Sequence, residues 1–285
     1  MPFYTDFFRR IAIFLFVALF VAGCNTTELE TVAPTATSLT TSGRYAAIVV
    51  DAKNGRMLYG QNIEAERYPA SLTKMMTLYL LFEAIDAGKI SKTAEIPISE
   101  NARRQPPSKI GFKSGQTIDV DTAIRALATK SANDVAVAVG EYIAGTEEAF
   151  AATMTAKARV LGMRNTVFRN ASGLPDNGQH TTARDMALLG MTLRQRFPHY
   201  YHYFSEQDFV FRGKTIRGHN DLIGRVPGVD GIKTGYVRAS GFNIVTSVND
   251  GSRRLVVVVM GGDSARGRND HVEELIQRYL SQATP

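Results

Sequence analysis

The chain has 285 residues, 44% hydrophobic and 21% charged, which excludes a disordered chain, a collagen and a multi-span membrane protein. Its single cysteine excludes a disulfide scaffold and any cysteine-based zinc or iron–sulfur site within the chain. Lysine and arginine number 33 against 27 acidic residues; a net charge of +6 suits work beside an anionic polymer or membrane and is too dilute to indicate nucleic-acid binding.

Arg9 and Arg10 precede an uncharged apolar run over residues 11–22. A basic start and a short apolar stretch are the marks of a secretory signal, and the run is too short to span a membrane comfortably. It ends in Val21-Ala22-Gly23-Cys24, placing the one cysteine where small residues mark a cleavage site. This resembles a bacterial lipobox, which implies a signal peptide over residues 1–23 and a lipid on the Cys24 thiol, hence an exported protein held at a membrane by acyl chains; the alternatives are an ordinary cleaved signal or an uncleaved anchor with an incidental cysteine. Residues 24–43 are rich in Thr, Ser, Ala and Pro without hydrophobic period, and are expected to be a flexible tether to a folded part over residues 44–285.

Residues 45–51 read as a strand, Asn54-Gly55 as a hairpin turn and residues 56–61 as the return strand. A helix is expected from Ser71 to about residue 87, stopped by Gly88. Residues 121–143, 147–161 and 181–194 read as successive helices. After Gln207 the pattern turns to strands, with residues 241–248 and 253–260 flanking a second hairpin turn at Asn249-Asp250-Gly251-Ser252. An amphipathic helix over about 269–282 closes the chain. Strands at both ends and helices between them predict an α/β (α+β) fold, in which the terminal parts join in one antiparallel sheet flanked by helices. The middle, about residues 90–200, would be a helical subdomain inserted beside that sheet, and the cleft between the two is the expected active site.

Ser71-Leu72-Thr73-Lys74 places a hydroxyl and an amine three residues apart at a helix start, on one face. A serine needs a base to become a nucleophile; a neutral lysine can serve once burial or another cation depresses its pKa. Alone the pair is expected by chance in a chain of this size. Ser-x-Asn occurs three times, at Ser99-Glu100-Asn101, Ser131-Ala132-Asn133 and Ser247-Val248-Asn249, so at least two are incidental. Lys233-Thr234-Gly235 is unique and lies before the 241–248 strand, where a cation, a hydroxyl and a residue without Cβ would let a carboxylate-bearing substrate pack against the backbone. No metal site is apparent: His199 and His202 lack an acidic partner at metal spacing, His180 reads as a loop residue, and the aromatic cluster at 200–204 reads as packing or cleft rim. Residues 172–176 read as a turn-rich loop bordering the cleft, a matter of shape more than chemistry.

Taken in this order, the three motifs resemble the serine penicillin-binding proteins and serine β-lactamases. Segments 67–74, 130–134, 168–176, 181–185, 219–220 and 231–235 are closer to one branch, the low-molecular-mass D-alanyl-D-alanine carboxypeptidases, and the resemblance covers about residues 44–283. It implies a β-lactamase/transpeptidase-like fold and a cofactor-free hydrolase that removes the terminal D-alanine from peptidoglycan stem peptides through an acyl-enzyme. Ser71 would be the acylated nucleophile, Lys74 its base and Ser131 a proton relay to the leaving group. Asn133 would hold the substrate amide and Lys74. Lys233 and Thr234 would bind the substrate carboxylate, with Lys233 keeping Lys74 neutral by repulsion. Gly235 completes that motif, and the backbone N–H groups of Ser71 and Tyr236 would form an oxyanion hole. Arg268 falls where the family has a carboxylate-binding arginine; the competing reading is a solvated charge opening the last helix.

Many members continue into a β-rich C-terminal domain and an amphipathic anchoring helix, whereas here a lipid on Cys24 is the expected anchor. None of Glu141, Glu147, Glu148 and Glu206 sits in the Glu-x-x-Leu-Asn setting that drives deacylation in class A β-lactamases. A β-lactam adduct is therefore expected to persist. The alternatives are a D,D-endopeptidase or a β-lactamase with the same motifs, or a non-catalytic peptidoglycan-binding lipoprotein; the last has no use for Ser71 beside Lys74. The expected location is the periplasm.

Overall fold

The structure is a computed structural model and describes residues 43–285. The expected signal peptide, Cys24 and the tether as far as residue 42 lie outside the described residues.

Strands β1 (Ala46–Asp51), β2 (Met57–Gln61), β7 (Val229–Val237), β8 (Gly241–Asn249) and β9 (Arg254–Gly262) form one antiparallel sheet in the order β2-β1-β9-β8-β7. The two ends of the domain thus meet as the pattern predicts, Val49 opposite Val257 across the β1–β9 pair. Residues 254–262 read Arg-Leu-Val-Val-Val-Val-Met-Gly-Gly, without polar alternation, because both faces of the strand are covered. Val256, Val258 and Met260 join the larger core on one face; Leu255, Val257 and Val259 join the smaller core on the other.

The larger core is filled by α1 (Lys74–Asp86), whose first nine residues are all buried, as expected of a helix apolar on every side. Against it pack α4 (Asn133–Ala144), α5 (Glu147–Val160) and α6 (Ala183–Arg196). Thr146 and Thr182 cap α5 and α6, their hydroxyls accepting from Ala149 and Asp185 N–H. The aromatic run at 200–204 lies in a 3₁₀ segment, Pro198–Ser205, with Tyr200 stacked on Phe82 at 4.8 Å, so these rings are packing. The smaller core is closed by α7 (Ala265–Tyr279) through Val272, Leu275, Ile276 and Tyr279. Two small antiparallel two-stranded sheets complete the fold: β3 (Glu95–Pro97) with β4 (Thr117–Asp119), and the hairpin of β5 (Asp208–Phe211) with β6 (Lys214–Arg217).

Three expected boundaries shift. The helix expected over 121–143 is not continuous: α3 (Val120–Arg125) runs into a π-type turn at Ala126–Lys130, and Ser131 takes a left-handed conformation (φ 60°, ψ 40°) before α4 restarts at Asn133. The break is held by polar contacts that a periodicity argument does not see. Asn133 N–H donates to Ser108 C=O at 2.7 Å, and the buried Asp134 carboxylate accepts from the N–H groups of Ile110 and Gly111. Ser71 lies in a 3₁₀ turn, Ala70–Thr73, that feeds α1. The last helix opens four residues earlier than expected, at Ala265, because Ser264 caps it by accepting from Gly267 N–H.

Candidate active site

The tight turn before α1 sets the first pair. Ser71 Oγ lies 3.1 Å from Lys74 Nζ, and Lys74 is fully buried. The amine also donates to Asn133 Oδ1 at 2.8 Å and to the Ser172 carbonyl at 2.6 Å. Asn133 is aimed by its other end, since its Nδ2 donates to Pro106 C=O at 2.9 Å and only the amide oxygen is left for the lysine. Three acceptors surround the amine, as many as an ammonium would satisfy. In its neutral form, with two N–H donors and one lone pair, donation to the amide and the carbonyl leaves the lone pair toward the serine hydroxyl. Burial, foremost, and then repulsion from Lys233 hold the Lys74 pKa well below its ordinary value, against an opposing pull from Asp134.

Ser172 belongs to the loop after Asn170, whose Oδ1 accepts from the N–H groups of Ser172 and Gly173. Gly173 has φ +84° and presses on the serine turn: a Cβ there would stand 1.8 Å from Ala70 O. The loop therefore supplies a ligand to the amine as well as a wall to the cleft, so its part in the chemistry is larger than the reading of shape more than chemistry allowed. A backbone carbonyl leaves no mark in a sequence, so Ser172 could not be found that way.

On the opposite wall β7 carries Lys233, Thr234, Gly235 and Tyr236. Lys233 is buried, donates to Thr234 C=O, and has its pKa pushed down to about 7 by burial and then by Arg268. At Gly235 the strand passes so near the serine turn that a Cβ would stand 3.1 Å from Ser71 N. Tyr236 is half exposed and rests on Phe242, ring centroids 4.3 Å apart. Arg268, in the first turn of α7, is only 4% exposed, and its guanidinium donates to Asn243 C=O and Asn269 Oδ1. The solvated-charge reading is thereby overturned.

A cavity of about 510 Å³ joins these walls, lined among others by Ser71, Ser131, Asn133, Thr234, Tyr236 and Arg268. Gly235 lines it too, with Lys74 directly beneath Ser71. Ser131 Oγ, buried at the α4 break, has no hydrogen-bond partner among the described residues. The other two Ser-x-Asn matches have structural roles: Ser99 caps α2 (Glu100–Arg104), and Ser247 on β8 bridges Tyr201 and Asp230. The four glutamates of the 141–206 interval lie outside the cavity lining, whose single carboxylate is Asp221. Glu147 accepts from Ala171 N–H, and Glu206 pairs with Arg125. His199 is exposed and pairs with Asp86. Among the described residues no group of three or more His, Cys, Asp or Glu side chains could hold a metal ion.

A family model described as D-alanyl-D-alanine carboxypeptidase matches residues 33–264. Among curated proteins the chain is 36% identical over 248 residues to D-alanyl-D-alanine carboxypeptidase DacA of Escherichia coli, covering 84% of this chain and 62% of that protein. It is 33% identical over 242 residues to DacF of Bacillus subtilis, covering 83% and 62%. The chain thus spans less than two thirds of the length of these relatives. Among solved structures it superposes on D-alanyl-D-alanine carboxypeptidase DacD of Francisella tularensis with a TM-score of 0.83 at 28% identity, covering 93% of this chain and 76% of that one. Penicillin-Binding Protein D2 of Listeria monocytogenes, in its ampicillin-bound form, gives 0.77 at 29% identity, covering 86% and 98%.

Proposed function

This chain belongs to the D-alanyl-D-alanine carboxypeptidase family, and from that membership and the cleft geometry we propose that it is a serine D,D-carboxypeptidase of peptidoglycan stem peptides. The observation that carries the reading is Lys74 Nζ, buried and 3.1 Å from Ser71 Oγ, with Asn133 Oδ1 and the Ser172 carbonyl as its other partners.

The substrate's terminal carboxylate binds Lys233, Thr234 and Arg268. Lys74 takes the Ser71 hydroxyl proton as Oγ attacks the D-alanyl carbonyl carbon, and the N–H groups of Ser71 and Tyr236 hold the resulting oxyanion. The C–N bond then breaks. Ser131 passes a proton to the departing amine, D-alanine leaves, and an ester remains on Ser71. Water attacks that ester, its proton returning by way of Lys74, and the shortened peptide is released. The chemistry needs no cofactor. Since none of Glu141, Glu147, Glu148 and Glu206 lines the cleft, and Asp221 is the single carboxylate among its described lining residues, a penicillin ester on Ser71 should be hydrolysed slowly, which argues for a β-lactam target over a β-lactamase.

We place the enzyme in the periplasm. The residues preceding Cys24 support export and lipid attachment there, and the peptide substrate is a cell-wall component. The test is incubation of purified protein with fluorescent penicillin and with an acyl-D-Ala-D-Ala peptide. A covalent adduct and released D-alanine are expected, both abolished in Ser71→Ala. A folded sample that takes no label and releases nothing overturns the assignment in favour of a wall-binding protein.

A further inference from the structure

The positive charge that is dilute over the chain as a whole is concentrated in two segments. Residues 103–116 contain Arg103, Arg104, Lys109 and Lys113 and no acid, and residues 207–220 contain Arg212, Lys214 and Arg217 against Asp208 alone. Their combined excess of basic over acidic residues equals the +6 of the entire chain.

The fold joins these segments into one lobe. Phe112 of the first packs edge-on against Phe211 of β5, ring centroids 5.8 Å apart, and the Arg212 guanidinium lies over both rings, 5.5 and 4.8 Å from their centroids. Arg103 and Arg104 are paired with Glu100. The other five cations have no carboxylate within ion-pair distance among the described residues; Lys109 donates to Arg103 C=O, while Lys113, Arg212, Lys214 and Arg217 are exposed. Like charges gathered without counter-charges repel one another, a cost to the folded state that an anionic partner removes.

The place of the lobe identifies the partner. Pro107 and Ser108 of the first segment, and Gly218 and His219 of the second, line the cavity that holds Ser71. The lobe is also tied to the catalytic groups, since Ser108 C=O accepts from Asn133 N–H and Ser108 Oγ donates to Lys130 C=O. A bilayer lying on this lobe would cover the mouth of the cleft. A linear polymer can lie on it and still pass one side branch inward. Resting on the substrate reading above, we propose that the lobe is a docking surface for the assembled peptidoglycan strand, holding the terminal carboxylates of stem peptides that neighbour the one in the cleft. Such a surface raises the local concentration of the next stem and favours intact wall over free peptide.

The test is sedimentation of the folded protein with peptidoglycan sacculi stripped of attached polymers, after penicillin has occupied Ser71 so that the cleft itself is closed. The labelled protein should sediment with sacculi, with an affinity that falls at least about tenfold from about 0.01 M to 0.15 M salt, as the Debye length shortens from about 30 Å to about 8 Å. Sacculi whose carboxylates have been amidated should not carry it down. The double variant Lys113→Glu/Lys214→Glu should weaken sedimentation and D-alanine release from sacculi about tenfold each, with penicillin labelling and D-alanine release from a short acyl-D-Ala-D-Ala peptide within about twofold of wild type. Lys113→Arg/Lys214→Arg should behave as wild type, which excludes a merely structural effect of the two positions. Sedimentation indifferent to salt, to amidation and to charge reversal overturns the docking surface. Binding to phosphatidylglycerol vesicles without binding to sacculi overturns it too, making the lobe a membrane contact. Absence of labelling and of D-alanine release from the short peptide overturns the catalytic assignment instead, and sedimentation of the unlabelled protein then still decides the lobe.

Discussion

Replacing Lys74 with methionine should slow acylation by fluorescent penicillin about a thousandfold, within the range removed with a general base. Methionine fills the same buried space without an amine, so Ser71 keeps its place in the turn and loses only the lone pair that takes its proton. The variant also strands two buried acceptors, Asn133 Oδ1 and Ser172 O, which lose their Nζ donor. Each unsatisfied group costs about 1–3 kcal/mol, offset in part because a desolvated amine is gone. A net loss of about 2 kcal/mol lowers Tm by roughly 4–8 °C in a domain of this size. Stopped-flow labelling and a thermal melt separate the two effects. Acylation within tenfold of wild type would remove Lys74 from the base role.

Gly173→Ala should damage both fold and reaction. Its φ of +84° is costly for any residue with a Cβ, and that Cβ would stand 1.8 Å from Ala70 O and 2.9 Å from Thr73 Oγ1. No rotamer relieves a backbone contact, so the loop must lift from the serine turn, carrying the Ser172 carbonyl away from Lys74. A cost of about 3 kcal/mol or more, hence a Tm lower by roughly 6–12 °C, is expected, with acylation at least about tenfold slower. A variant that melts and acylates like wild type would show that the loop does not position the amine.

The contrast between these two residues indicates what a sequence can carry. Ser71, Lys74, Lys233 and Thr234 stand in short runs where residue type and spacing express their chemistry. The terminal sheet was legible for a related reason: the Val run in β9 and the turn at residues 249–252 are local signals of a buried strand and a hairpin. Gly173 and the Ser172 carbonyl act only through partners about a hundred positions away, and nothing local reports on that. The helix break at Ser131 was missed because apolar residues recur at helical spacing on both sides of the polar run at 129–134, while the break is held by the segment at residues 106–111 packing against it. Arg268 left two readings open because a charge at a helix start is solvated or buried according to what lies across from it, and here β8 lies across from it. A cavity beside the catalytic cleft is likewise invisible in the sequence, since it forms only where residues 206–208 and 217–223 fold against the turn at Ala128 and Thr129.

The claim on which the catalytic account turns is that the Lys74 side chain is an uncharged amine in the resting protein. Nitrogen NMR of lysine-labelled protein, titrated from pH 5 to 10, reads this directly, with the Lys74 signal assigned by its loss in Lys74→Met. The account predicts that the Lys74 resonance becomes that of a neutral amine well below the pH at which the other lysines do so, because burial and Lys233 depress its pKa. A Lys74 signal that titrates together with the exposed lysines would contradict it.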